Sequence, residues 1–138
     1  MSMGVVSDPR FPELGQVQNS PDPAWLAVIK FDDQGLVQAI CQDQKSGEIL
    51  MVAWMDKVSL KLTLSRGQAV FWSRSRKEYW HKGATSGNVL LVHEFRVDCD
   101  GDALLFQVTA LGDGAACHTG RRSCFFRKLD TKTQEWVI

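Results

Sequence analysis

Val89-Leu90-Leu91-Val92-His93-Glu94-Phe95-Arg96-Val97-Asp98-Cys99-Asp100-Gly101-Asp102-Ala103-Leu104-Leu105-Phe106-Gln107-Val108-Thr109-Ala110-Leu111 decides the fold. Its two halves, Val89 to Cys99 and Ala103 to Leu111, are long and mostly apolar and read as paired strands. Asp100-Gly101 between them is a two-residue hairpin signal. A hairpin accounts for Asp100 and Gly101 but not for Asp98 and Asp102, which flank the turn and add like charge unless a cation offsets it. Oxygen donors at alternate positions suit a hard divalent ion such as magnesium, and they are too few for an EF-hand loop. Two readings stay open here, a bare hairpin tip and a metal site.

Beyond the hairpin comes Ala116-Cys117-His118-Thr119-Gly120-Arg121-Arg122-Ser123-Cys124-Phe125-Phe126. Side chains alternate along a strand, so Cys99 points away from Asp98 and is free to join Cys117 and Cys124. Structural zinc takes four protein ligands, whereas three leave a position for water, the catalytic pattern. There is no Cys-x-x-Cys pair, so spacing alone does not choose between zinc and free thiols. Disulfides do not suit a reducing compartment, and Cys41, far from any ligand partner, reads as a small buried side chain. His118 is a ligand, a proton carrier or a plain surface histidine. Phe125-Phe126 starts a short closing strand, Asp130 to Thr133 turns the chain, and Glu135 to Ile138 ends it as an edge strand.

The strand from Ala103 to Leu111 carries the chain about 30 Å from the tip at roughly 3.3 Å per residue. The residues from Gly112 to Cys117 recover only about half of that. Cys117 and Cys124 of a second, antiparallel subunit therefore meet Cys99 more readily than its own do. If these thiols hold zinc, as the resemblance described below implies, the expectation is a site shared across a two-fold homodimer, two sites per dimer. A sharply curled hairpin that closes the site within one chain is the alternative.

Upstream, Met1 to Asn19 has no periodicity, so residues 1–21 are expected to form an N-terminal arm and 22–138 a single domain. Asp22-Pro23 looks like a cap and first helical position, with a helix from Pro23 to Lys30. Leu36 to Cys41 and Glu48 to Met55 make a hairpin. Between Asp56 and Gly67, apolar residues at 58, 60, 62 and 64 fit a strand or a helix, and the Asp and Gly boundaries decide for a helix. Ala69 to Ser73 is a strand. Strands with two short helices make the class α+β.

Two loops, Ser73-Arg74-Ser75-Arg76-Lys77 and Lys82-Gly83-Ala84-Thr85-Ser86-Gly87-Asn88, have the hydroxyls, cations and glycines that phosphate recognition uses. Neither matches a P-loop or a dinucleotide fingerprint, and each also reads as an ordinary solvated loop. Net charge is +0 and the pI about 6.8, which argues against nucleic acid or an anionic membrane as the main partner. There is no signal peptide and no bilayer-spanning apolar run, so a cytoplasmic protein is expected.

The chain resembles the phosphoribosyl-AMP cyclohydrolase family from about Gly35 to Phe126. The resemblance is carried by Gly47 to Met55, Phe71-Trp72-Ser73-Arg74-Ser75-Arg76, Lys82-Gly83 with Thr85-Ser86-Gly87-Asn88, Val97 to Leu105, and Ala116 to Phe126. It implies an α+β fold with a curved antiparallel sheet in an intertwined homodimer. It implies hydrolysis of the N1–C6 bond of 1-(5-phosphoribosyl)-AMP in histidine biosynthesis. Cys99, Cys117 and Cys124 fall on the family's zinc positions, and Asp98, Asp100 and Asp102 on its magnesium positions. Zinc activates the water in this reading, with one ion per subunit, and His118 is its proton carrier. Ser73, Arg74, Arg76, Lys82, Thr85, Ser86, Arg121 and Arg122 are the candidates for the substrate's phosphates. No fused pyrophosphohydrolase domain is expected. His81 and Ala84 depart from the pattern, standing where an arginine and a glutamate are expected; no carboxylate at 84 is left to act in catalysis. A deaminase signature, His-x-Glu with Pro-Cys-x-x-Cys, is absent, and a non-enzymatic zinc module predicts four ligands and a positive field.

Overall fold

The computed structural model describes residues 8–138; the first seven residues of the expected arm lie outside the described residues. The chain forms α1 (Leu14–Asn19), a 3-10 helix (Ala24–Val28), β1 (Val37–Asp43), β2 (Ile49–Met55), α2 (Lys57–Arg66), β3 (Val70–Ser73), β4 (Glu78–His81), β5 (Leu90–Val97), β6 (Ala103–Ala110), β7 (Lys128–Asp130) and β8 (Glu135–Val137). The first six strands make one curved sheet in the order β4-β3-β2-β1-β6-β5, and β7-β8 is a separate hairpin. None of the described helices is long and apolar enough to cross a membrane.

The sheet is antiparallel except where β1 meets β6, with Gln38 beside Ala103 and Asp43 beside Val108. This parallel pair corrects the all-antiparallel expectation. The path from β2 through α2, β3, β4 and β5 provides the long crossover that a parallel pair needs. The pairing also sets the two ends of the molecule. The β5–β6 tip lies level with the start of β1, and the chain leaving β6 emerges beside the β1–β2 turn.

α2 is fixed at both ends. Asp56 accepts from the Ser59 N–H at 2.7 Å, Ser59 Oγ accepts from the Asp56 N–H at 2.8 Å, and Gly67 closes the helix in the left-handed region. Leu60 packs into the main core beneath the sheet, with Met55, Phe71, Leu90 and Phe106, while Leu62 packs with Phe11, Leu14, Val17 and Val70. Two buried faces account for Val58, Leu60 and Leu62 in the pattern that resembled a strand, while Leu64 is exposed.

Several elements differ from expectation. The segment after Asp22 closes as a five-residue 3-10 helix and not as an α-helix through Lys30. The second α-helix is α1, inside the expected arm; Phe11 and Leu14 bury themselves in the satellite cluster although the segment shows no periodicity. Glu78–His81 forms β4 at the sheet edge, a strand too short to announce itself. The closing strand begins at Lys128, past Phe125-Phe126, and among the described residues pairs only with Glu135–Val137, so the C-terminus is not an edge of the main sheet.

Candidate active site

The β5–β6 turn is a four-residue loop, since the Asp98 N–H donates to the Ala103 carbonyl and the Gly101 N–H to Asp98. Gly101 has φ +82°, and a Cβ there would sit 2.4 Å from the Val28 carbonyl; the Lys30 N–H donates to the Gly101 carbonyl at 2.8 Å. Only glycine permits this docking, which holds the tip against the end of the 3-10 helix. Asp98, Asp100 and Asp102 each bring an oxygen to within 4.8 Å of the others, all exposed. Desolvation pushes Asp98 up, but hydrogen bonds from Asp102, Asp100 and the backbone bring it below the usual carboxylate range. Asp102 is raised by its hydrogen bonds to Asp98 and Asp100 and by their charge. Hard oxygen donors, crowding and mutual repulsion suit a small divalent cation.

The thiols divide. Cys117 and Cys124 lie together because the Ala116 and Cys117 N–H groups donate to the carbonyls of Arg122 and Arg121, folding the segment back on itself. The Cys124 N–H donates to the Leu50 carbonyl at 2.7 Å and Ser123 Oγ to Ile49 at 2.7 Å, fixing the fold-back to the start of β2. Thr119 Oγ1 donates to Cys117 Sγ at 3.0 Å and lowers its pKa, favouring thiolate. Desolvation, then the charge of Cys117, pushes Cys124 up to about 11 although the residue as a whole is exposed. Burial pushes Cys41 up to about 12, which keeps it a neutral core thiol. Cys99 sits exposed at the hairpin tip, and among the described residues it forms no three-ligand cluster with Cys117 and Cys124.

A cleft of about 580 Å³ opens beside Cys117. Arg76, Lys82, Thr85, Ser86 and His118 line it, so this much of the expected site converges. The loop before β5 is held by close backbone approach: a Cβ on Gly83, φ +83°, would lie 2.3 Å from the backbone of Asn88 and Val89. Lys82 is 7% exposed, and its Nζ donates to the Asn88 carbonyl at 3.3 Å. Desolvation lowers its pKa, while the neighbouring thiols Cys124, Cys117 and Cys41 pull it back up. Ala84 also lines the cleft, so no carboxylate stands at this position of its wall.

The other expected phosphate residues lie outside that lining. Ser73 Oγ accepts from the Arg76 N–H at 3.3 Å and so shapes the β3–β4 turn. Arg74 stacks over Trp54 at 4.5 Å and Arg121 over Phe126 at 4.1 Å. Arg122 donates through Nε to Glu48 at 2.6 Å and pairs through Nη2 with Asp43 at 3.1 Å.

Sequence reading missed the N-terminal contribution. Arg10 and Phe11 line the cleft together with the Lys82 loop. They are placed by Arg66, whose guanidinium pairs with Glu13, donates to the Arg10 carbonyl at 2.6 Å and donates to His81 Nδ1 at 2.9 Å. A guanidinium only donates, so His81 Nδ1 accepts and its Nε2–H donates to Gln68 Oε1 at 2.7 Å. Desolvation and the Arg66 charge lower the His81 pKa and keep the ring neutral. The departure at 81 thus extends a packed polar chain and adds no cation to the cleft. No motif in the first twenty residues signals this; only the fold brings the segment here.

A model of the family "Phosphoribosyl-AMP cyclohydrolase" matches residues 51–126. The chain is 54% identical over 120 residues to the phosphoribosyl-AMP cyclohydrolase of Bordetella avium (strain 197N), covering 86% of this chain and 89% of that one. It is 56% identical over 118 residues to that of Bordetella petrii, covering 84% and 87%. It is 52% identical over 112 residues to that of Chromobacterium violaceum, covering 81% and 84%.

Proposed function

The chain belongs to the phosphoribosyl-AMP cyclohydrolase family, and on that premise we propose that it is a cytoplasmic, homodimeric hydrolase of 1-(5-phosphoribosyl)-AMP in histidine biosynthesis. The observation that carries this is the family match over 51–126, the span that builds β2, the Lys82 loop, the aspartate tip and the Cys117–Cys124 fold-back.

The donor sets fit two ions. Cys117, biased toward thiolate by Thr119, and the adjacent Cys124 suit zinc, with Cys99 of a second copy as third ligand. Asp98, Asp100 and Asp102 suit magnesium. Bound to three thiolates, zinc supplies Lewis-acid activation of water. The water oxygen bonds to C6 of the purine, the C6–N1 bond breaks, and the oxygen remains as the carboxamide of the formimino-aminoimidazole carboxamide ribonucleotide. His118, in the cleft next to Cys117, takes a proton from the water on a ring nitrogen and returns one to N1. Arg76, Lys82, Thr85 and Ser86 hold phosphate oxygens from the cleft wall, with Ser73, Arg74 and Arg121 flanking; Arg122 joins them only by leaving Glu48 and Asp43.

A second copy is supported by surface as well as by the missing ligand. Phe125, Leu129, Trp136 and Val137 are exposed on and beside the detached β7–β8 hairpin, and Phe125 and Trp136 line a hollow with Cys124. An isolated two-stranded hairpin is marginal in water and gains from a covering surface. The test is turnover: purified protein with zinc and magnesium is expected to convert phosphoribosyl-AMP to the ring-opened product. Absence of turnover by folded, metal-loaded protein refutes the activity.

A further inference from the structure

We infer that Arg10, in the N-terminal segment outside the span matched by the family, is a binding residue for a phosphate of the substrate. The inference rests on the cyclohydrolase reading above.

A substrate with two phosphate groups brings several negative charges into one cleft. Of the cations expected to meet them, Arg122 is engaged by Glu48 and Asp43, and Arg74 and Arg121 lie over aromatic rings outside the cleft lining. The lining retains Arg76 and Lys82, and Lys82 is buried against the thiols. Arg10 is the third cation of the lining; it pairs with Asp8, outside the lining, and at longer range with Glu78, inside it.

Its presentation is built. Asp8 Oδ1 accepts from the Arg10 backbone N–H at 2.9 Å and its carboxylate accepts from Nε and Nη2, the latter at 2.8 Å. This occupies one edge of the guanidinium and leaves Nη1, whose contact is a long 3.5 Å approach to Glu78 across the cleft wall. The Arg10 carbonyl is held by Arg66, and Phe11, 2% exposed, anchors the next residue in the satellite core. Backbone fixed on both sides, one edge oriented by Asp8, and an Nη1 whose contact with Glu78 is long enough to be exchanged for an anion make an arrangement that preorganises a guanidinium for an oxyanion. The side chain itself stays 55% exposed, so a ligand can reach it.

The test compares Arg10→Ala and Arg10→Lys with the natural full-length protein, all zinc-loaded. Arg10→Ala is expected to raise KM for phosphoribosyl-AMP roughly ten- to a hundredfold with kcat within about threefold, the signature of lost ground-state binding. Arg10→Lys should recover part of that loss, because it restores the charge without the fork. Affinity for inorganic phosphate, measured by calorimetry, should fall in Arg10→Ala, with zinc content and melting temperature unchanged. Unchanged KM and unchanged phosphate affinity in Arg10→Ala overturn the inference and leave the activity standing. If the natural protein turns nothing over, the activity reading fails, and the phosphate titration alone still decides whether Arg10 binds the anion.

Discussion

Mixing two inactive chains tests the shared metal site most directly. Within one chain the sheet register sets the separation of the thiols. Ala103, just after the tip, pairs with Gln38, and Gln38 pairs with Trp54, so Trp54 is level with the tip two strands away. The Cys124 backbone is fixed to Leu50, four residues farther along β2. That is about 13 Å along and about 10 Å across the sheet, or on the order of 15 Å. Two thiolates on one zinc each lie about 2.3 Å from it, so they are within roughly 4 Å of each other. Cys99 of the same chain therefore cannot complete the Cys117–Cys124 pair without rebuilding the sheet. A Cys99→Ser chain and a Cys117→Ser chain should each be inactive. Refolded together, each heterodimer contains one intact set, Cys99 from one chain with Cys117 and Cys124 from the other. The rate per heterodimer should return to about half that of the natural dimer, and an unseparated equal mixture to about a quarter. Zinc content should rise in parallel. Heterodimers demonstrated by mass spectrometry but devoid of zinc and activity refute the shared site.

Three further outcomes are expected. Asp100→Asn removes one oxygen charge from the tip and should raise the magnesium concentration for half-maximal rate by at least about tenfold with zinc retained; an unmoved magnesium dependence counts against the aspartate site. Phe11→Ala empties a position that is 2% exposed in the satellite core and should cost about 3 kcal/mol by urea unfolding; a loss below about 1 kcal/mol means that the segment does not hold the fold. The His81 pKa is lowered from 6.5 in the folded chain, so the unfolded chain binds more protons below that pH. Stability from neutral His81 is complete above about 6.5 and is lost as pH falls toward the folded value. The urea midpoint should thus drop on acidification from 7 to 5, and His81→Gln should flatten that drop; an identical slope in the variant removes His81 as its source.

Much of the sheet was legible because its strands obey local rules. The hairpins announce themselves by apolar runs and turn residues, and α2 by Asp56 and Gly67 although its apolar residues alternate. What stayed hidden depends on contacts distant in sequence. β4 is four half-buried residues whose strand state comes from pairing with β3. The parallel β1–β6 pair joins residues more than sixty positions apart, and no local pattern marks it. Residues 8–20 look structureless because a few anchors, Phe11, Leu14 and Val17, suffice to bury them once α2 and β3 offer a surface.

The site divides along the same line. Residues whose chemistry depends on their neighbours in sequence could be read: the aspartates converge because one turn carries them, and Cys117 approaches Cys124 because one fold-back does. The cations could not be sorted that way, since composition does not distinguish a guanidinium facing a cleft from one already paired. Arg122, next to a histidine-containing motif, is held by Glu48 and Asp43 outside the cleft lining, whereas Arg10, in a stretch without any motif, lines the cleft although it too pairs with carboxylates, Asp8 and at longer range Glu78. Charge neutralisation explains the exchange. The β1–β2 turn places Asp43 and Glu48 where the Cys124 fold-back crosses it, so an arginine there stabilises the loop that carries the thiols. An anion in the cleft then draws its counter-charge from the lining cations Arg76, Lys82 and Arg10, the last supplied by the N-terminal segment. Neutralising Arg10 should therefore weaken anion binding without loosening Cys124, while Arg122→Ala should loosen the fold-back. The two variants separate by zinc affinity: reduced in Arg122→Ala, unchanged in Arg10→Ala. Equal zinc affinity in both would mean that Arg122 does not support the metal loop and that the division of labour between the two arginines is wrong.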